Sequence, residues 1–232
     1  MLRIIPNKIH ITRPFRLPHI RPIYIDNSCV LCFLPEIGSK WVDCSRYSNN
    51  GAIVGAIIKQ GRCGAALWFD GVNDYVNCGN DVHLNPTDAI TVETWIKLDA
   101  ASEGKSSSIP IIRRNNAYLL RRDEEASGGY FSFFIYDGTS WELGAYRNFR
   151  PIFGVWYHIV GTYDGQRVKI YINGRLKGSS ARTGAMPSNG NNTVIGFWNT
   201  DYFPGLIDEV RVYNQALSAE EIRNLYFAGK PN

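Results

Sequence analysis

The side chains that could perform acid–base chemistry in this sequence do not form a hydrolase pattern. Retaining cleavage of a glycosidic bond requires two carboxylates about 5 Å apart. The stretch 206–210 holds only the adjacent pair Asp208 and Glu209, and the acidic run 123–125 follows two arginines, as in a solvated loop. His158 lies in an alternating apolar stretch, which favours a core position. No Gly-x-Ser-x-Gly, P-loop or zinc-ligand spacing occurs, and we predict no enzymatic activity.

Aromatic residues make up 13% of the chain, which is more than the core of a β-sandwich requires. Sugars present apolar C–H faces flanked by hydroxyls, so a glycan site needs an exposed aromatic platform with polar side chains beside it. Two loops, 136–141 and 197–203, offer this combination. The candidate ligand-binding residues are Tyr136, Trp141, Trp198, Asn199, Asp201 and Tyr202. Alternatively, Trp198 and Tyr202 cover the edge of a sheet or lie in a subunit interface.

All of the cysteines lie in the first third of the chain, namely Cys29, Cys32, Cys44, Cys63 and Cys78. The odd number leaves at least one thiol unpaired within the chain. Cys29-x-x-Cys32 stands in a strand-like stretch without a second Cys-x-x-Cys, so we interpret these residues as small buried hydrophobes. One disulfide, with Cys44 and Cys63 as a candidate pair, is compatible with an oxidising compartment, but the sequence leaves the connectivity open.

The elements that must position these residues are short strands. Asx-Gly pairs, which favour tight hairpins, separate alternating apolar stretches along the chain. The clearest example is 156–177, which predicts a meander of antiparallel strands. Ser218 and Glu221 form a capping-box pattern that predicts a helix through about Tyr226, ending near Gly229. Many short strands with little helix predict an all-β sandwich or jelly roll, with residues 30–232 as one domain.

Residues 1–29 differ from the rest of the chain in charge and proline content. They hold five basic residues and one acidic residue, which accounts for the whole net charge of +4, together with four of the 11 prolines. Proline at this density excludes a helix, and no apolar stretch of signal-peptide type is present. We predict a basic, proline-rich extended arm, which is either a disordered tail or a contact to a neighbouring subunit. Nucleic-acid binding is not favoured by so few scattered cations.

Four stretches, taken in their order and spacing, carry a family resemblance. The first runs from DCS to NNG over residues 43–51, and the second comprises GAALWFDG and DYV within residues 64–76. The third combines TVETWI at 91–96 with WYH at 156–158. The fourth is FPGLIDEVRVY at 203–213, which is followed by ALS and the predicted helix. Over roughly residues 28–228 the chain resembles the laminin G-like, concanavalin A-like jelly-roll family. The resemblance implies an antiparallel two-sheet jelly-roll sandwich with a short C-terminal helix. It implies little about function, because the family includes glycan-binding, adhesion and assembly domains.

The resemblance also implies a structural calcium ion (Ca2+). Calcium takes six to eight oxygen ligands from carboxylates, amides and carbonyls. The positions that match the family's pattern are Asp43, Asn49, the Gly51 carbonyl and Asp208. The alternative is that Asp43 and Asn49 make only side-chain-to-backbone bonds within a turn, while Asp208 pairs with a nearby arginine.

Two functions remain open at this stage. The first is a noncatalytic recognition module that binds a glycan or a protein surface outside the cell. The second is a structural protein, such as a virion decoration or fibre component, in which residues 1–29 make contacts between subunits of a homo-oligomer or a larger assembly. We expect an extracellular or virion-surface location and no membrane span, since no apolar run reaches about 18 residues.

Overall fold

The computed structural model describes residues 4–5, 8–10, 24–33, 40–62, 64–100, 107–124, 128–145 and 149–229. It confirms the predicted fold class: two large antiparallel sheets form a sandwich, and one short α-helix follows near the C-terminal end. The strands are β1 (Ile4–Ile5), β2 (Lys8–His10), β3 (Tyr24–Asp26), β4 (Cys29–Cys32), β5 (Lys40–Trp41), β6 (Gly51–Val54), β7 (Ile57–Gln60), β8 (Ala65–Asp70), β9 (Tyr75–Asn77), β10 (Ile90–Leu98), β11 (Ile109–Arg114), β12 (Tyr118–Arg122), β13 (Phe131–Tyr136), β14 (Trp141–Ala145), β15 (Trp156–Tyr163), β16 (Arg167–Ile172), β17 (Arg175–Ala181), β18 (Thr193–Ile195), β19 (Phe197–Trp198), β20 (Asp201–Tyr202) and β21 (Pro204–Tyr213), and the α-helix is α1 (Ala219–Ala228).

The two large sheets, here called sheet I and sheet II, are each eight-stranded. Sheet I has the order β17-β16-β15-β10-β21-β8-β7, and β4 pairs with β21 as its eighth strand. Sheet II has the order β14-β13-β12-β11-β18-β9-β6-β5. Strand β21 is long enough to pair with β8 through its first half and with β4 through its second half. Neighbouring strands are therefore often distant in sequence, as a jelly roll requires.

The core between the sheets follows the two-residue period of the strands. In β10, alternate residues face sheet II, and all of these except Thr94 are apolar, while the residues between them face outward. Ile90, Val92 and Ile96 belong to the main buried cluster of the protein. Gly161 in β15 marks a close approach of the sheets, because a Cβ there would lie 2.2 Å from the Phe133 ring of sheet II.

Helix α1 packs on the outer face of sheet I. It begins at a capping box in which the Ser218 hydroxyl accepts from the Glu221 backbone N–H, while the Glu221 carboxylate accepts from the Ser218 N–H at 2.8 Å. The helix ends at Gly229, as the sequence predicts. Its Tyr226 ring stacks on Trp95 of β10 with a centroid separation of 5.6 Å. The helix therefore covers the polar side chains that β10 directs outward.

The predicted N-terminal arm is described only in part. Strands β1, β2 and β3 form a three-stranded antiparallel sheet with β2 in the centre. The arm meets the body at its end, where the Asn214 N–H donates to the Ser28 carbonyl at 2.9 Å. The extended arm and its domain boundary stay predictions. Within the described residues, no helix has the length and apolar character needed to cross a membrane.

Candidate functional site

A short hairpin formed by β19 and β20 lies against the outer face of sheet II. Its two strands pair Phe197 with Tyr202 and Trp198 with Asp201. The hairpin is joined closely to the sheet, since the Gly196 N–H donates to the Ile111 carbonyl at 2.9 Å. Gly196 has φ +82°, and a Cβ there would lie 2.8 Å from the buried Phe69 ring. Glycine at this position therefore allows the chain to turn onto the outer face.

Aromatic rings and two guanidinium groups lie side by side on this surface. The Arg121 guanidinium carbon lies 4.6 Å from the centre of the Phe134 ring and 5.4 Å from that of Trp198. Phe197 stacks on Tyr202 at 4.7 Å. All members are half-buried, so each ring keeps an exposed part. We call this surface the aromatic–arginine face, defined as Tyr75, Arg113, Arg121, Phe134, Phe197, Trp198 and Tyr202.

The two arginines are fixed by different contacts. Arg113 donates through Nε to the Phe197 carbonyl at 3.0 Å, and so ties β11 to the hairpin. Partial burial lowers the pKa of Arg113, but arginine stays charged at neutral pH because its usual pKa is above 12. Arg121 donates through Nε to Asp123 at 2.9 Å, and Asp123 also accepts a hydrogen bond from the Ser132 hydroxyl. Both guanidinium groups are thereby held in place before any ligand arrives.

The hairpin holds four of the predicted ligand-binding residues. Trp198 and Tyr202 belong to the aromatic–arginine face, and Asp201 pairs with Trp198 on the neighbouring strand. Asn199 is exposed at the turn, with φ +57°, a conformation that asparagine tolerates better than most residues. The hairpin lies on the face of sheet II beside the central strand β11 and not at a sheet edge, and it leaves the Trp198 and Tyr202 rings partly exposed.

The other two predicted ligand-binding residues lie farther along sheet II. Tyr136 is two residues after Phe134 in β13 and so shares its face. Trp141 pairs with Tyr136 across the β13–β14 hairpin, with ring centroids 5.1 Å apart. The exposed turn between them is held by Asp137, whose pKa is lowered by hydrogen bonds from Ser140 and Thr139. Both predicted loops therefore direct aromatic rings to the same face of the same sheet.

Sequence reasoning missed Arg113, Arg121 and Phe134. Each lies in a strand in which the flanking residues are buried in the core, so the two-residue alternation could have indicated an outward position. Their meeting with the hairpin could not be predicted in this way. Arg113 and the carbonyl it contacts are separated by 84 residues.

The loop after β5 contains the first two predicted calcium ligands, and it brings them together. Asp43 is buried, and its carboxylate accepts hydrogen bonds from the Cys32 N–H, the Ser45 N–H, the Ser45 hydroxyl and the Asn49 N–H. A carboxylate has about four lone-pair sites, so these four bonds use its capacity. As it is bonded here, Asp43 does not fit a calcium ligand, and the arrangement favours the turn-fixing alternative.

The side chain of Asn49 and the two remaining predicted calcium ligands make contacts of their own. Asn49 donates through its amide to the Val30 carbonyl at 2.9 Å. Gly51 begins β6 and packs against Val76. Asp208 lies in β21 and accepts from the Arg62 backbone N–H at 2.8 Å. Among the described residues no group of three or more His, Cys, Asp or Glu side chains is placed to hold a metal. Calcium binding stays a prediction, and chelation tests it.

The candidate disulfide between Cys44 and Cys63 is not tested by the structure, because Cys63 lies outside the described residues. Cys44 is a free thiol, as are Cys29, Cys32 and Cys78. Cys29 and Cys32 are buried, as expected for small hydrophobic residues in a strand. Their sulfur atoms share one apolar cluster with Cys44 beneath α1.

A buried charged cluster lies between sheet I and α1. Glu93 of β10 accepts from Arg211 of β21 and is hydrogen-bonded to His158 Nε2, both at 3.0 Å. Arg211 also donates to Glu209 at 2.7 Å. Glu209 has φ +50° and stands where β21 bulges against β10, so the bulge adjusts its direction toward Arg211.

Burial alone raises the pKa of Glu93, but the charge of Arg211 and the contact to His158 outweigh it and hold the pKa below the usual value. Burial likewise lowers the pKa of Arg211, while Glu93 and Glu209 raise it well above the usual value. The Glu93 and His158 side chains have no exposed surface. They resemble an acid–base pair in composition but are enclosed, so their role is to hold sheet I together.

The fold and the sequence together place the chain in a family. The model Laminin_G_3, of the Concanavalin A-like lectin/glucanases superfamily, matches residues 70–223, which is more than half of the chain. The chain therefore belongs to this family, which confirms the resemblance seen in the motifs.

Solved structures with the same fold include several binding domains. Domain 4 of AbnA, a GH43 extracellular arabinanase from Geobacillus stearothermophilus, in complex with arabinotriose, superposes with a TM-score of 0.70 and 19% identity over 86% of this chain and 98% of that one. The binding domain of Paraclostridial Mosquitocidal Protein 1 gives a TM-score of 0.70 at 16% identity, over 86% of this chain and 52% of that one. The receptor binding domain of botulinum neurotoxin D gives 0.69 at 19% identity, over 87% and 52%. At sequence identities this low, these structural matches establish only that the fold is shared.

Curated relatives match a shorter segment. Pappalysin-1 of Homo sapiens is 25% identical over 122 residues, which is 47% of this chain and 7% of that protein. Pappalysin-1 of Mus musculus is 26% identical over 129 residues, or 50% and 8%. The chain thus corresponds to a small part of the length of these relatives.

Proposed function

We propose that this chain is a noncatalytic recognition module that binds a neutral oligosaccharide across the aromatic–arginine face. The observation that carries the proposal is the position of Arg121 between the rings of Phe134 and Trp198. The rings offer apolar surface for the C–H faces of a sugar, and the guanidinium offers donors to its hydroxyls.

The charges around the face favour a neutral ligand over an acidic one. Arg121 is already paired with Asp123, so a neighbour offsets one of the two positive charges of the face. The hairpin adds Asp201, which brings the formal charge of these four side chains to zero. Recognition then depends on stacking and hydrogen bonds, and affinity should change little between about 50 and about 500 mM salt, because screening acts on unbalanced charge.

Several features support a role in binding over one in catalysis. The Asp123 carboxylate beside the face is engaged with Arg121, and the buried Glu93 is enclosed. The structural neighbour from AbnA is a domain in complex with arabinotriose, and two others are toxin binding domains. An extracellular location is part of the proposal, and it agrees with the extracellular arabinanase among these neighbours.

The test is a glycan array followed by calorimetric titration of the best oligosaccharide. We expect Trp198→Ala to weaken binding at least about tenfold, equivalent to ~1.4 kcal/mol. The matched control is Trp156→Ala, since Trp156 is also half-buried and has a cation, Lys97, 5.5 Å from its ring, but lies on sheet I. Equal losses in both variants, or no glycan bound by the wild type, would contradict the proposal.

The assembly function and the calcium ion remain separate hypotheses. Assembly through residues 1–29 predicts a symmetric oligomer that dissociates when this segment is deleted. Solution mass with and without the segment decides it, and a monomer in both cases would exclude it.

A further inference from the structure

Three thiols meet at the edge of sheet I, where β4 pairs with the chain that follows β5. Cys29 and Cys32 are buried in β4, and Cys44 is half-buried beside them. The Cys44 thiol donates to the Cys32 carbonyl at 2.8 Å, and the Cys29 thiol donates to the Leu31 carbonyl at 3.2 Å. The group is therefore a cluster with one member near the surface.

Cys32 and Cys44 are opposite each other across two antiparallel segments. Phe33 and Asp43 form an antiparallel bridge, so Cys32 and Cys44 are the next facing pair, and the Cys44 N–H donates to the Cys32 carbonyl at 2.9 Å. Facing residues in antiparallel pairs have Cα atoms about 4.5 to 5.5 Å apart. This separation lies within the range that a disulfide bridges.

Cys29 is placed less well for the same bond. It lies on the same strand as Cys32, where the pairing with β21 shifts register between Leu31 and Cys29. Cys29 and Cys32 therefore do not face each other across two paired segments, as Cys32 and Cys44 do. Cys29 is also buried, whereas Cys44 is accessible from one side.

The exposure of the two thiols determines which one reacts first. Cys44 is half-buried, whereas Cys32 is buried. Disulfide exchange requires access to the attacking sulfur, so Cys44 reacts first.

We propose that Cys32 and Cys44 are a redox-sensitive pair that forms a cross-strand disulfide on exposure to a small disulfide such as oxidised glutathione. Cys44 attacks one sulfur of the small disulfide, and a mixed disulfide forms as one thiolate leaves. Cys32 then attacks the Cys44 sulfur, and the second thiolate leaves. The two cysteine protons end on the two released thiols, so the pair is oxidised by two electrons and the small disulfide is reduced.

The bond would fix the Asp43 loop to β4. It closes a loop of roughly a dozen residues, so oxidation should raise Tm by roughly 5 to 10 °C. The loop's hydrogen bonds to Asp43 already hold it in the required position, so little rearrangement is needed.

Peptide mapping of the full chain tests the proposal. The protein is treated with oxidised glutathione, free thiols are alkylated in acid, and a non-reducing tryptic digest is analysed by mass spectrometry. Cys44 lies alone in peptide 41–46, both β4 cysteines lie in peptide 17–40, and Cys63 lies in peptide 63–97. We expect a link between peptides 17–40 and 41–46. A bond within 17–40, a link from 41–46 to 63–97, or alkylation of every thiol would overturn the proposal.

Variants identify the partner within the longer peptide. Cys29→Ser should keep the link, and Cys32→Ser should abolish both the link and the oxidant-dependent rise in Tm. If Cys32→Ser does not fold, Cys44→Ser, at the half-buried position, should likewise abolish the link and the oxidant-dependent rise in Tm. Cys78→Ser is the matched control, since Cys78 is a buried thiol outside the cluster, and it should leave the link unchanged. Loss of the link in Cys29→Ser would assign the bond to Cys29 and contradict the proposal.

Discussion

The outer faces of the two sheets carry similar side chains in opposite settings. On sheet I, Arg211 pairs with two carboxylates and is buried. On sheet II, Arg121 pairs with one carboxylate and lies beside two half-exposed rings. Covering the first group makes it part of the core, whereas leaving the second partly open makes it available to a ligand.

Because similar side chains are buried on sheet I and half-exposed on sheet II, residue types alone do not locate a functional site in this fold. Glu93 and His158 resemble catalytic residues, but they have no exposed surface. A charge pair in that position matters for stability because removing one partner leaves the other buried. Substitutions on sheet I should therefore change the free energy of unfolding, and substitutions on sheet II should change the affinity for the oligosaccharide.

The largest effect is expected from Glu93→Ala on sheet I. The change leaves Arg211 buried with one of its two carboxylates missing, and it should lower the free energy of unfolding by about 3 to 5 kcal/mol. Denaturant unfolding measures it. The control is Lys169→Met in the more exposed pair with Asp164, which should cost at most about 1 kcal/mol. If Glu93→Ala lowers the free energy of unfolding by less than Lys169→Met does, the buried cluster is not a stabilising unit.

A second prediction concerns Asp43, whose carboxylate holds the loop beside the thiols. Asp43→Ala removes the acceptor of three backbone N–H groups and should cost about 3 kcal/mol. If the Asp43 carboxylate serves only to fix the loop, chelation of the wild type leaves Tm unchanged. A fall in Tm on chelation that calcium reverses would show instead that the predicted metal site exists.

The pH dependence of stability separates the faces further. The folded-state pKa of Glu93 is lowered by Arg211 and His158, so its contribution is complete above the unfolded value of about 4.3 and is lost as pH falls through the folded value. We expect Glu93→Gln to be destabilised at neutral pH and to lose less stability than the wild type on acidification. If the free energy of unfolding changes with pH in the same way in the wild type and in Glu93→Gln, Glu93 is not the group responsible.

The smallest effect on stability is expected on sheet II. Arg121→Lys keeps the charge but loses the planar group that lies over Phe134 and Trp198. We expect the free energy of unfolding to change by less than about 0.5 kcal/mol and the oligosaccharide affinity to fall about fivefold or more, as titration would measure. Unchanged affinity would remove Arg121 from the binding face.

Local patterns predicted much of the fold. The stretch 156–177 gives β15, β16 and the start of β17, and the Asn173-Gly174 turn has positive φ at both residues. The capping box at Ser218 correctly predicts the start of α1. These features depend on residues a few positions apart, which a sequence shows directly.

The sites depend on contacts that a single sequence does not show. Glu93 and Arg211 are 118 residues apart, and their register is set by a bulge in β21. The thiol pair arises from an isolated bridge between Phe33, which follows β4, and Asp43 in the loop after β5. Trp198 and Tyr202 of the 197–203 loop are half-buried on the outer face of sheet II. Arg113 and Arg121 join them only through the pairing order of sheet II.

The most direct test of the account is hydrogen–deuterium exchange of the full chain with and without the oligosaccharide found on the array. The account predicts slower exchange in β11, β12 and the β19–β20 hairpin, with α1 unchanged. Slower exchange in α1 or β4 at saturating ligand, with none on sheet II, would contradict the claim that the open face binds and the covered face stabilises.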